Sequence, residues 1–271
     1  MYKLGVAGYP VGHSKSPLIH ETWFEYYGIA ASYERLEISP YDLETGIKRL
    51  VCQHYLGFNV TVPHKKAMLS LCDNLDDTAR AVGAVNTVLI DKDKKLHGFN
   101  TDVFGFLENI RRNCPGFKFS EKRTTVIGAG GASYAALYGL GLMQSKSVTV
   151  VNRTFEKAVI AAEQFNCRYA RWEELDTVLE NTDLLVNATS LGMKGQPPLD
   201  INLFPLPSQA VVNDLVYTPL TTPLIAKAND TGLRTVTGIG MLLYQAAAAF
   251  KIWFGIEPFI AEELTNKVVK D

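Results

Sequence analysis

Apolar runs punctuated by glycine and proline organise the N-terminal third of the chain. Leu4-Gly5-Val6-Ala7-Gly8 reads as a short buried strand ending in a turn. Ser16-Pro17 reads as an N-cap followed by proline at the first helical position, and Gly28 supplies the stop for that helix. A second strand is predicted over residues 32–38, with Tyr33, Leu36 and Ile38 as its apolar members. A helix over 42–50 and a third strand over 56–60 follow, and this alternation is the βαβ pattern of a parallel sheet. Residues 85–90 and 95–98 then form a hairpin around Asp91-Lys92-Asp93-Lys94.

A helix over 103–113 is closed by Cys114-Pro115-Gly116, and the pattern changes after it. Strands are predicted at 124–127, 147–151, 183–187, 210–214 and 234–237, with a shorter one at 167–170, and helical segments lie between them. Five or six such strands make a Rossmann-type domain. From Gly240 the chain is helical to about Phe254, and again after Pro258. The fold class is therefore α/β in two domains.

Composition narrows the picture. A length of 271 residues suits about two domains, and 47% hydrophobic with 20% charged residues suits full cores. A net charge of -1 gives no general attraction to nucleic acid or to an anionic membrane surface. Cys52, Cys72, Cys114 and Cys167 form no CxxC pair and no metal-ligand spacing, so no metal is expected. They read as reduced thiols in a cytoplasmic protein. No apolar run reaches membrane-spanning length, and Gly8-Tyr9-Pro10 breaks the N-terminal apolar stretch before it could act as a signal peptide.

The segment Thr125-Val126-Ile127-Gly128-Ala129-Gly130-Gly131-Ala132-Ser133 has a strand before it and a helix after it. Gly128 allows the tight turn and Gly130 lets backbone approach a pyrophosphate, while the helix N-terminus offers unpaired amides to the anion. Ser133 stands where the third glycine of the fingerprint usually stands. At the end of the next strand an NAD site would carry an acid for the ribose 2′-hydroxyl. The chain has Asn152-Arg153-Thr154 there, with Lys157 one turn further on. Arg153 can grip a 2′-phosphate with its fork, and Thr154 can donate a hydroxyl. The plainer alternative is a solvated basic helix start.

Candidate chemistry lies in the first domain. Asn59-Val60-Thr61-Val62-Pro63-His64-Lys65 presents a lysine just past an apolar extended run, and Gly98-Phe99-Asn100-Thr101-Asp102 presents an aspartate. Alone, Lys65 is a surface lysine and Asp102 a helix cap. Together, a lysine can protonate an oxygen that receives negative charge, and an aspartate can fix the ammonium. Ser14 and Ser16, in an extended segment, would point their hydroxyls the same way at a helix N-terminus and seat a carboxylate. Capping serves as the alternative for this pair too. His13 and His20 read as hydrogen-bonded scaffold near the serine loop, and His64 as structural.

Gly12-His13-Ser14-Lys15-Ser16-Pro17, the lysine segment, Gly83-Ala84-Val85-Asn86-Thr87 and the aspartate segment resemble the shikimate dehydrogenase family. So do Asn152-Arg153-Thr154, Asn187-Ala188-Thr189-Ser190-Leu191-Gly192-Met193, Asp214-Leu215-Val216-Tyr217-Thr218-Pro219 and Gly238-Ile239-Gly240-Met241-Leu242-Leu243-Tyr244-Gln245. The resemblance runs from about residue 4 to residue 260. It implies reversible NADPH-dependent reduction of 3-dehydroshikimate to shikimate, in aromatic amino-acid biosynthesis. It implies Lys65 and Asp102 as the catalytic pair and Ser14 and Ser16 as holders of the substrate carboxylate. Thr61, Asn86, Asp102 and Gln245 would hold the ring hydroxyls, with Asn59 supporting the pocket and Tyr217 near the carboxylate end. Toward NADP it implies Gly128, Ala129, Gly130, Gly131, Ala132, Asn152, Arg153, Thr154 and Lys157. Thr189, Met193, Leu215, Gly238 and Met241 complete that set.

The resemblance further implies a substrate domain of residues 1–102 plus 239–271, an NADP-binding domain of 103–238, and an active site in the cleft between them. Two departures stand out: Tyr134 and Lys157 occupy positions where arginine is frequent. A quinate-acting relative is the main alternative, and Ser16 favours shikimate because threonine there would crowd the seat. A non-catalytic nucleotide sensor on the same fold would have no reason to keep Lys65 and Asp102. A folate-type dehydrogenase lacks support from the serine pair. The expected partner is a small-molecule substrate, with neither nucleic acid nor membrane, in a monomer or homodimer.

Overall fold

The structure, a computed structural model, describes residues 1–270. The chain divides into two compact units: Met1–Thr101 with the chain from Gln245 onward, and Asp102–Tyr244. The second dividing point falls after Tyr244, inside a helix, six residues beyond the boundary expected at 239. Helix hydrogen bonding continues unbroken through it, so the sequence carries no punctuation there.

The first unit starts with β1 (Tyr2–Gly8), α1 (Ser16–Tyr27), β2 (Ala31–Glu37), α2 (Leu43–Cys52) and β3 (Gly57–Val60). Short pieces follow: α3 (Met68–Leu71), β4 (Asn74–Leu75) and α4 (Asp77–Val82), then β5 (Thr87–Ile90) and β6 (Leu96–Phe99). The strands form one six-stranded sheet in the order β2-β1-β3-β5-β6-β4. The expected parallel character holds for β1 with β2 and β3, whereas β5 runs antiparallel to β3 and β6. The hairpin accounts for the β5–β6 reversal, because a tight turn can only join antiparallel strands; β3 and β5 are joined by the longer stretch that holds α3, β4 and α4. Phe58, Val60, Met68, Val85 and Val88 pack into the core on this sheet.

In the second unit α5 (Asp102–Asn113) leads to β7 (Arg123–Ile127), α6 (Gly131–Leu142), β8 (Ser147–Val151), α7 (Phe155–Phe165) and β9 (Arg168–Ala170). Then come α8 (Leu175–Leu179), β10 (Leu184–Asn187), β11 (Val211–Asp214), α9 (Pro223–Asp230), β12 (Arg234–Val236) and α10 (Ile239–Phe254). Every pairing in this sheet is parallel, and the order is β12-β11-β10-β7-β8-β9. That is the doubly wound Rossmann order, which places the carboxyl ends of β7 and β10 at a topological switch point. Its four inner strands, β7, β8, β10 and β11, bury most of their residues because helices cover both faces of such a sheet. The chain ends with α11 (Glu262–Lys270), which packs on α1 in the first unit.

Candidate active site

In the first unit, register brings three strand ends together. Asn59 pairs with Thr87 across β3 and β5, and Thr87 with Phe99 across β5 and β6. Because neighbouring strands are antiparallel here, the exits of β3 and β6 flank the entry of β5. Asn59, Asn86 and Thr101 are all buried there. Asn86 Nδ2 donates to Thr101 Oγ1 at 2.9 Å and to Gln245 Oε1 at 3.4 Å, while its Oδ1 accepts from the Thr101 amide at 2.8 Å. Asn59 Nδ2 donates to Thr87 Oγ1 and to the Asn86 carbonyl, and its Oδ1 accepts from the Tyr33 hydroxyl at 2.6 Å. Both Asn59 donors are thus held by the protein, which makes this residue the frame of the cluster.

Lys65 is half-buried, and its carbonyl accepts from the Val85 amide at 2.8 Å, which ties the lysine segment to the residue before Asn86. Thr61 is fixed by its amide, which donates to the Ala7 carbonyl at 2.8 Å. His64 is buried, its Nε2 2.7 Å from the Ile38 carbonyl, a structural role. The serine pair differs from expectation. Lys15 has helical backbone, with φ -85° and ψ -8°, so Ser14-Lys15-Ser16 is not extended. Ser16 is the first residue of α1 and not its cap; its amide donates to Ser14 Oγ at 3.3 Å. Pro17 tolerates this because a first-turn residue needs no intrahelical donor. Arg35 anchors the loop by donating from Nε and Nη2 to the Ser14 carbonyl.

His20 also departs from expectation. Neither ring nitrogen finds a hydrogen-bond partner among the described residues. The ring instead stacks on Tyr33 at 4.4 Å, with Trp23 and Trp253 around it. Burial lowers its pKa from 6.5 to about 3, so the imidazole is neutral. Burial likewise pushes the Tyr33 hydroxyl well above its ordinary range, partly opposed by the Ser16 hydroxyl beside it.

In the second unit Gly128 follows β7 directly with φ 115°, and a Cβ there would stand 3.0 Å from the Ala188 carbonyl oxygen. Only glycine accepts that backbone at such close approach. Gly130 and Gly131 open α6 with nothing within 4 Å of a Cβ position. The start of the helix is thus uncrowded on its glycine side, with Ala129 and Ala132 half-buried beside it. Ser133 takes the third-glycine position without loss: it is fully buried and its Oγ accepts from the Gly130 amide at 3.1 Å. These features fit a pyrophosphate.

Beside this turn, Asn187 organises the Thr189–Met193 loop. Its Oδ1 accepts from the Thr189 amide and hydroxyl, and its Nδ2 donates to Asp214 Oδ1 at 2.9 Å. Asp214 is fully buried and also accepts from the Val216 amide and, at 2.6 Å, from the Thr222 hydroxyl. Burial raises its pKa, against those three hydrogen bonds. The carboxylate therefore fixes the 215–222 loop, which carries Leu215 and Tyr217, and through Asn187 the 189–193 loop. Gly238 lies directly against the Leu215 carbonyl, where a side chain would not fit. Met241 is buried on α10, Met193 is exposed, and burial pushes the Tyr217 hydroxyl up.

At the end of β8 the Asn152 side chain donates to the Thr154 carbonyl at 2.8 Å and shapes the turn. A depression of about 400 Å³ is lined by Asn152, Arg153, Thr154, Phe155, Arg171 and Trp172, with Glu156 and Glu173. Lys157 is not among its lining residues. Asp102 opens α5 as a buried residue of its first turn and belongs to the second unit, whereas Lys65 belongs to the first.

Comparison with known proteins decides what this pattern belongs to. Residues 6–88 match the model of the shikimate dehydrogenase substrate binding domain, and 110–193 that of shikimate / quinate 5-dehydrogenase. Residues 238–258 match the shikimate 5'-dehydrogenase C-terminal domain. Shikimate dehydrogenase (NADP(+)) of Paramagnetospirillum magneticum is 44% identical over 262 residues, which is 96% of this chain and 95% of that protein. The chain belongs to the shikimate dehydrogenase family. Among solved structures, shikimate 5-dehydrogenase of Thermus thermophilus in complex with NADP(H) and shikimate is 34% identical with a TM-score of 0.89, covering 100% of this chain and 99% of that one. Quinate dehydrogenase of Corynebacterium glutamicum in complex with NAD is 29% identical with a TM-score of 0.90, covering 99% of this chain and 97% of that one.

Within this shikimate dehydrogenase fold, sequence reasoning missed Tyr33, Thr87 and Thr101 as members of the buried polar cluster. Thr87 and Thr101 adjoin predicted site residues, and that adjacency was the available signal. Asp214 and Arg171 were missed as well. No helix among the described residues is long and apolar enough to cross a membrane.

Proposed function

We propose that the chain catalyses the reversible NADPH-dependent reduction of 3-dehydroshikimate to shikimate, the step used in aromatic amino-acid biosynthesis. The observation that carries this reading is the buried amide and hydroxyl cluster of Asn59, Asn86, Thr101 and Gln245, tied through Val85 to the Lys65 segment. Such a set of directed donors and acceptors suits a small ring bearing several hydroxyls, because leaving any of them unpaired is costly. The Paramagnetospirillum and Thermus relatives carry the corresponding names and ligands.

NADPH, when bound, supplies the hydride. Lys65 Nζ donates the proton to the oxygen that gains negative charge, and Asp102 holds the ammonium ready. Ser14 and Ser16 take the substrate carboxylate, with Tyr217 at the same end. Thr61, Asn86, Asp102 and Gln245 orient the ring hydroxyls, and Asn59 frames them. The turn from Gly128 to Ala132 receives the pyrophosphate. Asn152, Arg153 and Thr154 receive the 2′-phosphate, with Lys157 adding positive charge nearby. Thr189, Met193, Leu215, Gly238 and Met241 serve the nicotinamide side.

Backbone similarity alone does not separate shikimate from quinate, since a quinate dehydrogenase matches the fold equally well. Ser16 and the acid-free strand end at Arg153 favour shikimate and NADP. Four cysteines without a disulfide agree with a cytoplasmic location. The test is a steady-state assay that pairs shikimate and quinate with NADP and NAD. Turnover highest for shikimate with NADP supports the proposal. Tight NADP binding without turnover of either acid would indicate a sensor and refute it.

A further inference from the structure

We propose that Arg171 is a second recognition residue for the 2′-phosphate, so that two guanidiniums select NADP over NAD. The inference rests on the NADP reading above and names a residue far from the motif that suggested it. Val151 of β8 pairs with Ala170 of β9 in a parallel ladder. The residues that follow, Asn152 and Arg171, therefore leave adjacent strands side by side. Arg153 and Arg171 line the same depression of about 400 Å³.

The Arg171 guanidinium lies over the Phe155 ring, 4.1 Å from its centroid. Stacking uses the flat face of the group and leaves its in-plane N–H donors directed outward. Its backbone is held as well, because the Arg171 amide donates to Glu174 Oε2 at 2.7 Å. That bond engages the Glu174 carboxylate with backbone. Glu156 and Glu173 line the depression and are exposed, yet among the described residues neither Arg153 nor Arg171 is paired with a carboxylate. Two arginines that line one depression and carry no carboxylate partner there suit an anion with several oxygens, and a phosphate monoester can accept from both forks.

The test is calorimetric titration of the full chain with NADP, NAD, adenosine 2′,5′-bisphosphate and AMP. Arg171→Leu keeps an apolar cover on Phe155 and removes the charge. It is expected to weaken NADP and the bisphosphate roughly tenfold or more, the scale of one charged hydrogen-bond partner. NAD and AMP should be unaffected. Arg171→Lys, which keeps the charge but lacks the fork, should fall between. If Arg153→Ala weakens NADP and Arg171→Leu does not, Arg171 is excluded while the NADP reading stands. Equal losses for NADP and NAD would make Arg171 an adenosine contact and overturn the proposal. A wild-type protein that binds NAD as tightly as NADP would overturn the NADP reading itself.

Discussion

The Tyr33 hydroxyl donates to Asn59 Oδ1 at 2.6 Å, and both residues are buried. Through this bond the second strand of the sheet holds the side chain that in turn grips the Asn86 carbonyl and Thr87. Tyr33→Phe would leave the Asn59 oxygen without that donor. It is expected to destabilise the protein by about 1–3 kcal/mol, the cost of a buried unsatisfied acceptor. KM for shikimate should rise while NADP affinity stays constant. Unfolding in urea together with both titrations checks this, and wild-type stability with wild-type KM would show that Tyr33 frames nothing.

His20 makes stability depend on pH. Its pKa is 6.5 in an ordinary setting and about 3 in the aromatic enclosure. Above 6.5 the ring is neutral whether the chain is folded or unfolded. As pH falls below that, the unfolded chain takes up a proton that the native chain refuses. Stability is then lost at up to about 1.4 kcal/mol per pH unit until the native pKa is reached. His20→Phe preserves the stack on Tyr33 and removes the titration. Between about pH 6.5 and about pH 5 the variant should lose about 2 kcal/mol less than wild type. Parallel losses in urea titrations at the two pH values would refute the assignment.

Gly128 combines φ 115° with backbone 3.0 Å from a Cβ position. Gly128→Ala is expected to cost about 1–3 kcal/mol of stability through strain at that residue. It should also weaken NADP and NAD alike, since the pyrophosphate turn is common to both, while shikimate binding persists. Calorimetry with each ligand decides it. Selective loss of NADP alone would contradict the turn's proposed role.

Lys65→Ala should lower kcat by roughly 10²–10⁴-fold, the usual scale for a lost general acid. Shikimate affinity, measured by equilibrium titration, should change far less. A kcat within about threefold of wild type would be too small a loss for a proton donor.

Much of this was readable in advance where one local rule sufficed. The six strands of the second sheet lie within a residue or so of their expected limits, because all but β9 carry a β-branched or apolar stretch bounded by polar residues. Between Lys65 and Val85 three elements went unread, since α3, β4 and α4 are each too short to show a period. Asp76, whose carboxylate accepts from the Ala79 amide at 2.7 Å, and Gly83 at φ 72° were the signals there, a cap and a stop around one turn and a half. The Ser14–Ser16 geometry was misread because Lys15 adopts helical backbone that no pattern of apolar residues announces. Arg171 was invisible for a different reason. Only the register of β8 on β9 brings it to Arg153, and pairing register is a tertiary fact.

The most direct measurement of the central claim follows the hydride itself. The protein would be incubated with 3-dehydroshikimate and NADPH carrying deuterium on both faces of the nicotinamide C4, and the product examined by NMR and mass spectrometry. The account predicts shikimate with one deuterium on the carbon that was the ketone. Absence of shikimate, or shikimate formed without that label, would contradict it.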